Sequence, residues 1–172
     1  TQLMSLEKCA WDPELLAVFD VPAKALPKIT PSWGSLAESD PEHFLGLSAP
    51  ITGNAGDQQA ALFGQLALEE GDSKATYGTG AFVLLNTGNK IIYSKNRLLR
   101  TSAYRIKGKT TYAMEGSIFI AGAGVQWLRD KLNFFKNASE TEKIVKSLKD
   151  NKGVYLVPAF TGLGAPFWYF LF

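Results

Sequence analysis

The sequence predicts an α/β fold, and three stretches carry that prediction. A short strand, Ile51-Thr52, runs into the Gly-rich turn Gly53-Asn-Ala-Gly56 and then into a helical stretch over residues 57–70, which Gly71 closes. Residues 74–114 hold four β-like runs, Lys74–Tyr77, Ala81–Asn86, Leu98–Ile106 and Lys109–Met114, separated by Gly turns, with Lys107-Gly108 as a tight hairpin turn. Residues 116–132 then place Ile118, Ala121, Val125, Leu128 and Leu132 at the three- and four-residue spacing of a helix.

The remaining elements follow from local chemistry. Residues 12–20 read as a short helix: Asp12 can cap it, Pro13 suits its first position, and Leu15, Leu16 and Phe19 share a face. Residues 21–50 hold five of the eight prolines and little periodicity, so they read as a long irregular connection, with Ile51-Thr52 beyond it as a buried strand. Ser139 and Glu142 form an S-x-x-E capping box that opens a second helix, and Gly153 ends that segment. Val154–Phe160 reads as a buried strand, and Gly162-Leu-Gly-Ala-Pro166 as a loop. The texture changes near residue 70, the expected domain boundary.

Composition narrows the function. At 46% hydrophobic and 20% charged, the 172 residues can bury a real core. A net charge of +2 leaves no electrostatic footprint for nucleic acid or an anionic membrane, and no apolar run is long enough to span a bilayer. One cysteine, Cys9, excludes an internal disulfide and a cysteine metal cage; one histidine, His43, excludes a paired-histidine zinc site. A Ser–His–Asp triad would have to recruit His43 from a polar, Pro-flanked loop. The chain starts at Thr1 and finishes in the aromatic run Pro166–Phe172, which reads as a cut or a frame change rather than a native terminus, so the expectation is a piece of something longer.

Four segments could carry chemistry, and each has a plain reading as well. Asp57 at the strand–helix corner is either an N-cap or a general base for an attacking hydroxyl, with Gln58 hydrogen-bonding the substrate. Gly78-Thr79-Gly80 is either an ordinary hairpin turn or a cradle for phosphate oxygens; it is not a Walker A loop, for no GxxxxGK[ST] occurs. Gly122 and Gly124 inside the expected helix permit close helix packing or leave a bare face for a flat ligand, with Gln126 one turn beyond Gly122 on the same face. Gly162–Pro166 is a connection or a ligand loop. Together the four suit phosphoryl transfer from a nucleotide without a P-loop.

As a set these residues have a counterpart. Gly56-Asp57-Gln-Gln-Ala-Ala-Leu-Phe-Gly-Gln65, Thr76-Tyr-Gly-Thr-Gly80, Leu85-Asn-Thr-Gly88, Glu115-Gly-Ser117, the run from Ala121-Gly122 to Gln126-Trp-Leu-Arg-Asp130, and that from Val157-Pro-Ala-Phe160 to Gly162-Leu-Gly-Ala-Pro166 closely resemble the FGGY carbohydrate kinases, in particular their glycerol-phosphorylating members. The resemblance runs from Trp11 to Trp168. It implies the actin-like, ribonuclease-H-like fold, here incomplete: residues 1–70 would be the end of the first, substrate-side domain, and residues 71–172 the first half of the second, nucleotide-side domain. It implies ATP-dependent phosphorylation of glycerol to sn-glycerol 3-phosphate with Mg²⁺, in a cytoplasmic, homo-oligomeric enzyme.

By the same resemblance Asp57 is the catalytic base and, with Gln58, contacts glycerol. No metal ligand is assigned, although Asp57 could reach a metal ion through water. Thr79 and Gly80 contact the nucleotide phosphates, and Gly122 and Gln126 the nucleotide. The family's N-terminal phosphate-binding strands, its Arg-Glu pair and its later adenine-site residues are missing, so residues 1–172 alone are expected to be inactive. Two rivals stay open. One is a family kinase for another polyol or sugar such as xylulose, although Asp57-Gln58-Gln59 favours glycerol. The other is a non-catalytic nucleotide-binding module of the actin and heat-shock-chaperone kind.

Overall fold

The computed structural model describes residues 2–169. The described residues form two compact units, one from residues 2–74, 85–93 and 100–114 and one from residues 75–84, 94–99 and 115–169. Three elements build the start of the first unit. Strands β1 (Met4–Ser5) and β2 (Ala10–Trp11) pair antiparallel, and helix α1 (Pro13–Val18) follows directly. Asp12 caps α1 as its sequence predicts, accepting from the N–H groups of Glu14 and Leu15, with Pro13 at the first position where its missing N–H costs nothing. Of the expected apolar face only Leu16 is buried; Phe19 lies half exposed at the C-cap.

The proline-rich connection is less irregular than its sequence implies. A 3₁₀ turn spans Ala23–Ala25, and a strand, β3 (Trp33–Glu38), pairs antiparallel with β4 (Pro50–Gly53). The register slips between Trp33 and Ala37, and the exposed and half-buried positions of β3 alternate only over these few residues. Strand β4 lies where expected but is exposed along its length, not buried. A two-stranded ribbon cannot cover both of its own faces, so the apolar Ile51 is left 46% exposed.

Helix α2 (Asp57–Gly64) begins as expected but stops seven residues before Gly71. The stop is a Schellman motif, with the Ala67 N–H on the Leu62 carbonyl (3.1 Å) and the Leu66 N–H on the Phe63 carbonyl (3.0 Å). Leu66 takes the left-handed position usually given to glycine, at φ +58°, while Leu62 and Ala67 bury together beneath it. The energy of the buried pair therefore outweighs the roughly 1–2 kcal/mol that a side chain costs in that conformation.

Four strands make the main sheet, in the order β5 (Ser73–Tyr77), β6 (Ala81–Gly88), β8 (Lys109–Ile118), β7 (Leu99–Ile106). All four runs expected from the sequence are present. The β7–β8 turn is Lys107-Gly108, with φ of +49° and +78°, the two positive angles of a type I′ turn. Leu84, Ala103 and Ala113 are buried on the sheet. So is Asn86, whose amide is bonded at both ends: Nδ2 donates to the Ala67 carbonyl at 3.0 Å and Oδ1 accepts the Gly88 N–H at 2.8 Å.

The helices after the sheet are shorter than expected. Strand β8 runs on to Ile118, so helix α3 covers only Gly122–Asp130; the apolar spacing of 116–132 straddles a strand end and a helix start. Helix α4 (Glu140–Ser147) has no capping box, because Ser139 is itself in a helical conformation and its hydroxyl makes no cap bond. Instead Glu140 accepts the Asn137 N–H at 2.8 Å. The segment Val154–Phe160 is neither a strand nor buried: Val154, Tyr155 and Val157 are 75%, 83% and 67% exposed. Its β-prone composition meets no strand edge among the described residues, only a single bridge from Phe160 to Gly162. Gly162–Pro166 is the expected loop, and of the aromatic tail Phe170-Leu-Phe172 lies outside the described residues.

Candidate functional site

In the first unit, β4 delivers the chain through Asn54–Gly56 to the start of α2. Gly56 is the N-cap and Asp57 the first helical residue, so Asp57 is not the cap its sequence position first suggests. Its Oδ1 accepts the Gln58 N–H at 2.8 Å, and its carboxylate is exposed. An acid in the first turn is also favoured by the helix dipole, which keeps that turn positive. Among the described residues, Oδ2 is engaged only by the Gln58 side-chain amide, at 3.5 Å. That leaves a carboxylate oxygen with acceptor capacity, the chemistry needed both to take a hydroxyl proton and to hold a hydrated Mg²⁺ through water.

Gln58 is fixed from its other end. Lys74, on β5, is 4% exposed, and its ammonium donates to Gln58 Oε1. This sets the amide orientation: oxygen towards the ammonium, Nε2–H₂ on the side of the Asp57 carboxylate. Gln59 is held separately, by Nε2 to Thr101 Oγ1 at 3.2 Å. Lys74 is the residue that sequence reasoning missed. A lysine in a β-run reads as a solvated side chain, and only its inward position in the pattern of β5 marks it.

In the second unit, three of the expected nucleotide residues come together. The Gly78–Gly80 turn packs on the start of α3: the Ala121 N–H donates to the Thr79 carbonyl at 2.8 Å, Gly122 N–H to the Gly78 carbonyl at 2.9 Å, and Ala123 N–H to the Thr79 carbonyl at 3.2 Å. Helix α3 is thus capped by the turn's carbonyls, and these three N–H groups are not available to an anion. Glycine is required at the joint. A Cβ on Gly122 would lie 2.5 Å from the Gly78 oxygen, and one on Gly80 2.5 Å from the Ile118 oxygen. Gly122 is therefore the first residue of the helix, not an interior one, and its bareness serves backbone approach.

What this unit offers a ligand is the exposed Thr79 at the tip of the turn and, one helical turn past Gly122, the exposed Gln126. The Gly162–Pro166 loop closes on the end of β8, with the Ala165 N–H on the Ser117 carbonyl at 3.1 Å. Ser117 is buried, and its hydroxyl bonds Glu115 Oε1 at 3.1 Å. Trp168 Nε1 donates to the Arg97 carbonyl at 2.7 Å, tying the far end of the same loop.

Two family models match in chain order: the N-terminal domain of the FGGY family of carbohydrate kinases over residues 1–64, and its C-terminal domain over residues 73–169. The chain belongs to the FGGY family of carbohydrate kinases, with the actin-like fold of their domains. It is 55% identical over 168 residues to the glycerol kinase of Clostridium botulinum (Langeland strain), and 53% identical over the same length to that of Carboxydothermus hydrogenoformans, covering 98% of this chain and 34% of each relative.

Among solved structures, the glycerol kinase of Plasmodium falciparum with ADP superposes with a TM-score of 0.86 at 40% identity, over 97% of this chain and 34% of that one. A xylulose kinase from Lactobacillus acidophilus superposes with a TM-score of 0.81 at 19% identity, over the same shares, a likeness of fold alone. The chain spans about a third of the length of the curated relatives it matches.

Proposed function

We propose that the whole protein to which these residues belong transfers the γ-phosphoryl group of ATP to a terminal hydroxyl of glycerol, giving sn-glycerol 3-phosphate. The observation that carries this reading is the exposed Asp57 carboxylate at the start of α2, inside a chain 55% identical to glycerol kinases. Asp57 accepts the hydroxyl proton through Oδ2 as the oxygen attacks, while its Oδ1 stays on the Gln58 N–H. Gln58 bonds the substrate and helps hold it in line. Thr79, Gly80, Gly122 and Gln126 serve the nucleotide: Thr79 by its hydroxyl, Gln126 by its amide, and the two glycines by letting the backbone come close. Mg²⁺, when bound, neutralises charge on the phosphates, and Asp57 would hold it through water.

Residues 1–70 close the substrate-side domain, and residues 71–172 open the nucleotide-side domain. Each carries part of a ligand shell, so the 172 residues alone lack activity. The full enzyme works in the cytoplasm as a homo-oligomer. The test is Asp57→Asn in a full-length protein carrying these residues. Glycerol-dependent ATP consumption should fall by about 10²–10⁴-fold in kcat. Unchanged turnover would instead favour a nucleotide-gated binding module, which needs no hydroxyl base.

A further inference from the structure

A buried ammonium costs several kcal/mol unless its hydrogens are accepted, so a chain keeps one where it has a partner to orient. Lys74 is such a group. It sits on β5, is 4% exposed, and donates to Gln58 Oε1. An uncharged amide has two nearly isosteric orientations, and only its hydrogen-bond partners choose between them. At Gln58 both ends agree: the ammonium can only donate, so it selects the oxygen, and the carboxylate of Asp57 can only accept, so it selects Nε2–H₂. The order Lys74–Gln58–Asp57 thus forms a polarised relay in which each group faces the atom it can satisfy.

We propose that Lys74 is a positioning residue for the polyol site: it locks the Gln58 amide so that Nε2–H₂ is presented to a substrate hydroxyl beside the Asp57 carboxylate. The inference rests on the reading of Asp57 and Gln58 as the substrate-binding pair. Without the ammonium, only the long 3.5 Å bond to Asp57 orients the Gln58 side chain, so its amide loses one of its two anchors and presents Nε2–H₂ to the substrate for a smaller share of the time. The cost then falls on polyol binding, not on the nucleotide.

Steady-state kinetics of a full-length protein carrying these residues test it, with Lys74→Met, Gln58→Leu and the double variant. Lys74→Met keeps the length of the side chain and removes the donor. It should raise the KM for glycerol by up to about tenfold, the worth of one neutral hydrogen bond from the amide to a substrate hydroxyl, and leave the KM for ATP within about twofold. In the Gln58→Leu background the same change should leave the glycerol KM unmoved, because the amide it orients is gone. An unchanged glycerol KM in Lys74→Met, or an equal rise in both backgrounds, would overturn the proposal.

Should Lys74→Met yield no folded protein, Lys74→Arg carries the same comparison. Its guanidinium keeps the charge but is bulkier and planar, so it does not reproduce the compact ammonium's place at Gln58 Oε1, and the glycerol KM rises only where Gln58 is present. Asp57→Asn, assayed alongside, separates the two readings: if it abolishes turnover while Lys74→Met leaves the glycerol KM unchanged, only the positioning role fails.

Discussion

The Gly122 N–H bonds the Gly78 carbonyl at 2.9 Å, and the same oxygen lies 2.5 Å from the place where a Cβ on Gly122 would sit. One contact therefore both caps helix α3 and forbids any side chain at its first residue. The obstacle is backbone, which cannot rotate away as a side chain could. The Gly78–Gly80 turn and α3 are in effect one piece, and Thr79 is held at a set place relative to Gln126.

Gly122→Ala should accordingly push the start of α3 off the turn. Overpacking of this kind costs about 1–3 kcal/mol, and it breaks the geometry of the residues proposed to serve the nucleotide as well as the bond. In the full-length protein the KM for ATP should rise at least about tenfold, with that for glycerol little changed. Equal effects on both substrates would mean that the joint supports the whole enzyme and not the nucleotide residues in particular.

The end of α2 yields a stabilising change. Leu66 holds φ +58° at the C′ position of the Schellman motif and is 74% exposed, so its side chain contributes little to offset that backbone cost. Leu66→Gly removes about 1 kcal/mol of strain while keeping both capping bonds, less some added freedom in the unfolded chain. The amide of Ala67, whose bond to Leu62 depends on the motif, should exchange with deuterium about threefold to tenfold more slowly. Faster exchange would show that Leu66 is held by contacts stronger than its conformation costs.

How far the sequence reveals the fold depends on how local each signal is. Asp12-Pro13, Lys107-Gly108 and the Gly53–Gly56 corner act within a few residues, and all three stand where expected. Strand β3 was hidden because its partner is β4, more than ten residues on, and because its register slips. The early stop of α2 turns on a buried Leu62–Ala67 pair that outweighs a missing glycine. Val154–Val157 has the composition of a buried strand and is exposed, because burial needs a neighbour and composition alone supplies none. In the site the corner bearing Asp57 and Gln58 was legible, and Lys74 was not, since only tertiary packing turns a lysine inward.

A last prediction concerns alkaline pH. Tyr112 on β8 donates its hydroxyl to the Leu6 carbonyl at 3.1 Å. Burial pushes its phenol above the usual tyrosine value, and the nearby Cys9 adds to the rise. The folded chain thus holds this proton more tightly than the unfolded chain does. The stability tied to it is complete below about pH 10, the ordinary tyrosine value, and drains away as pH climbs through the raised folded value. Tyr112→Phe loses the bond to Leu6, so near neutral pH it should cost about 1 kcal/mol. It also loses the titrating group, so its deficit should shrink as pH rises past 10. Denaturant melts of the full-length protein and the variant at pH 8 and pH 10.5 check this, since the many lysines titrate alike in both. A gap that stays constant or widens between the two pH values would mean that the phenol ionises at least as easily in the folded chain as outside it.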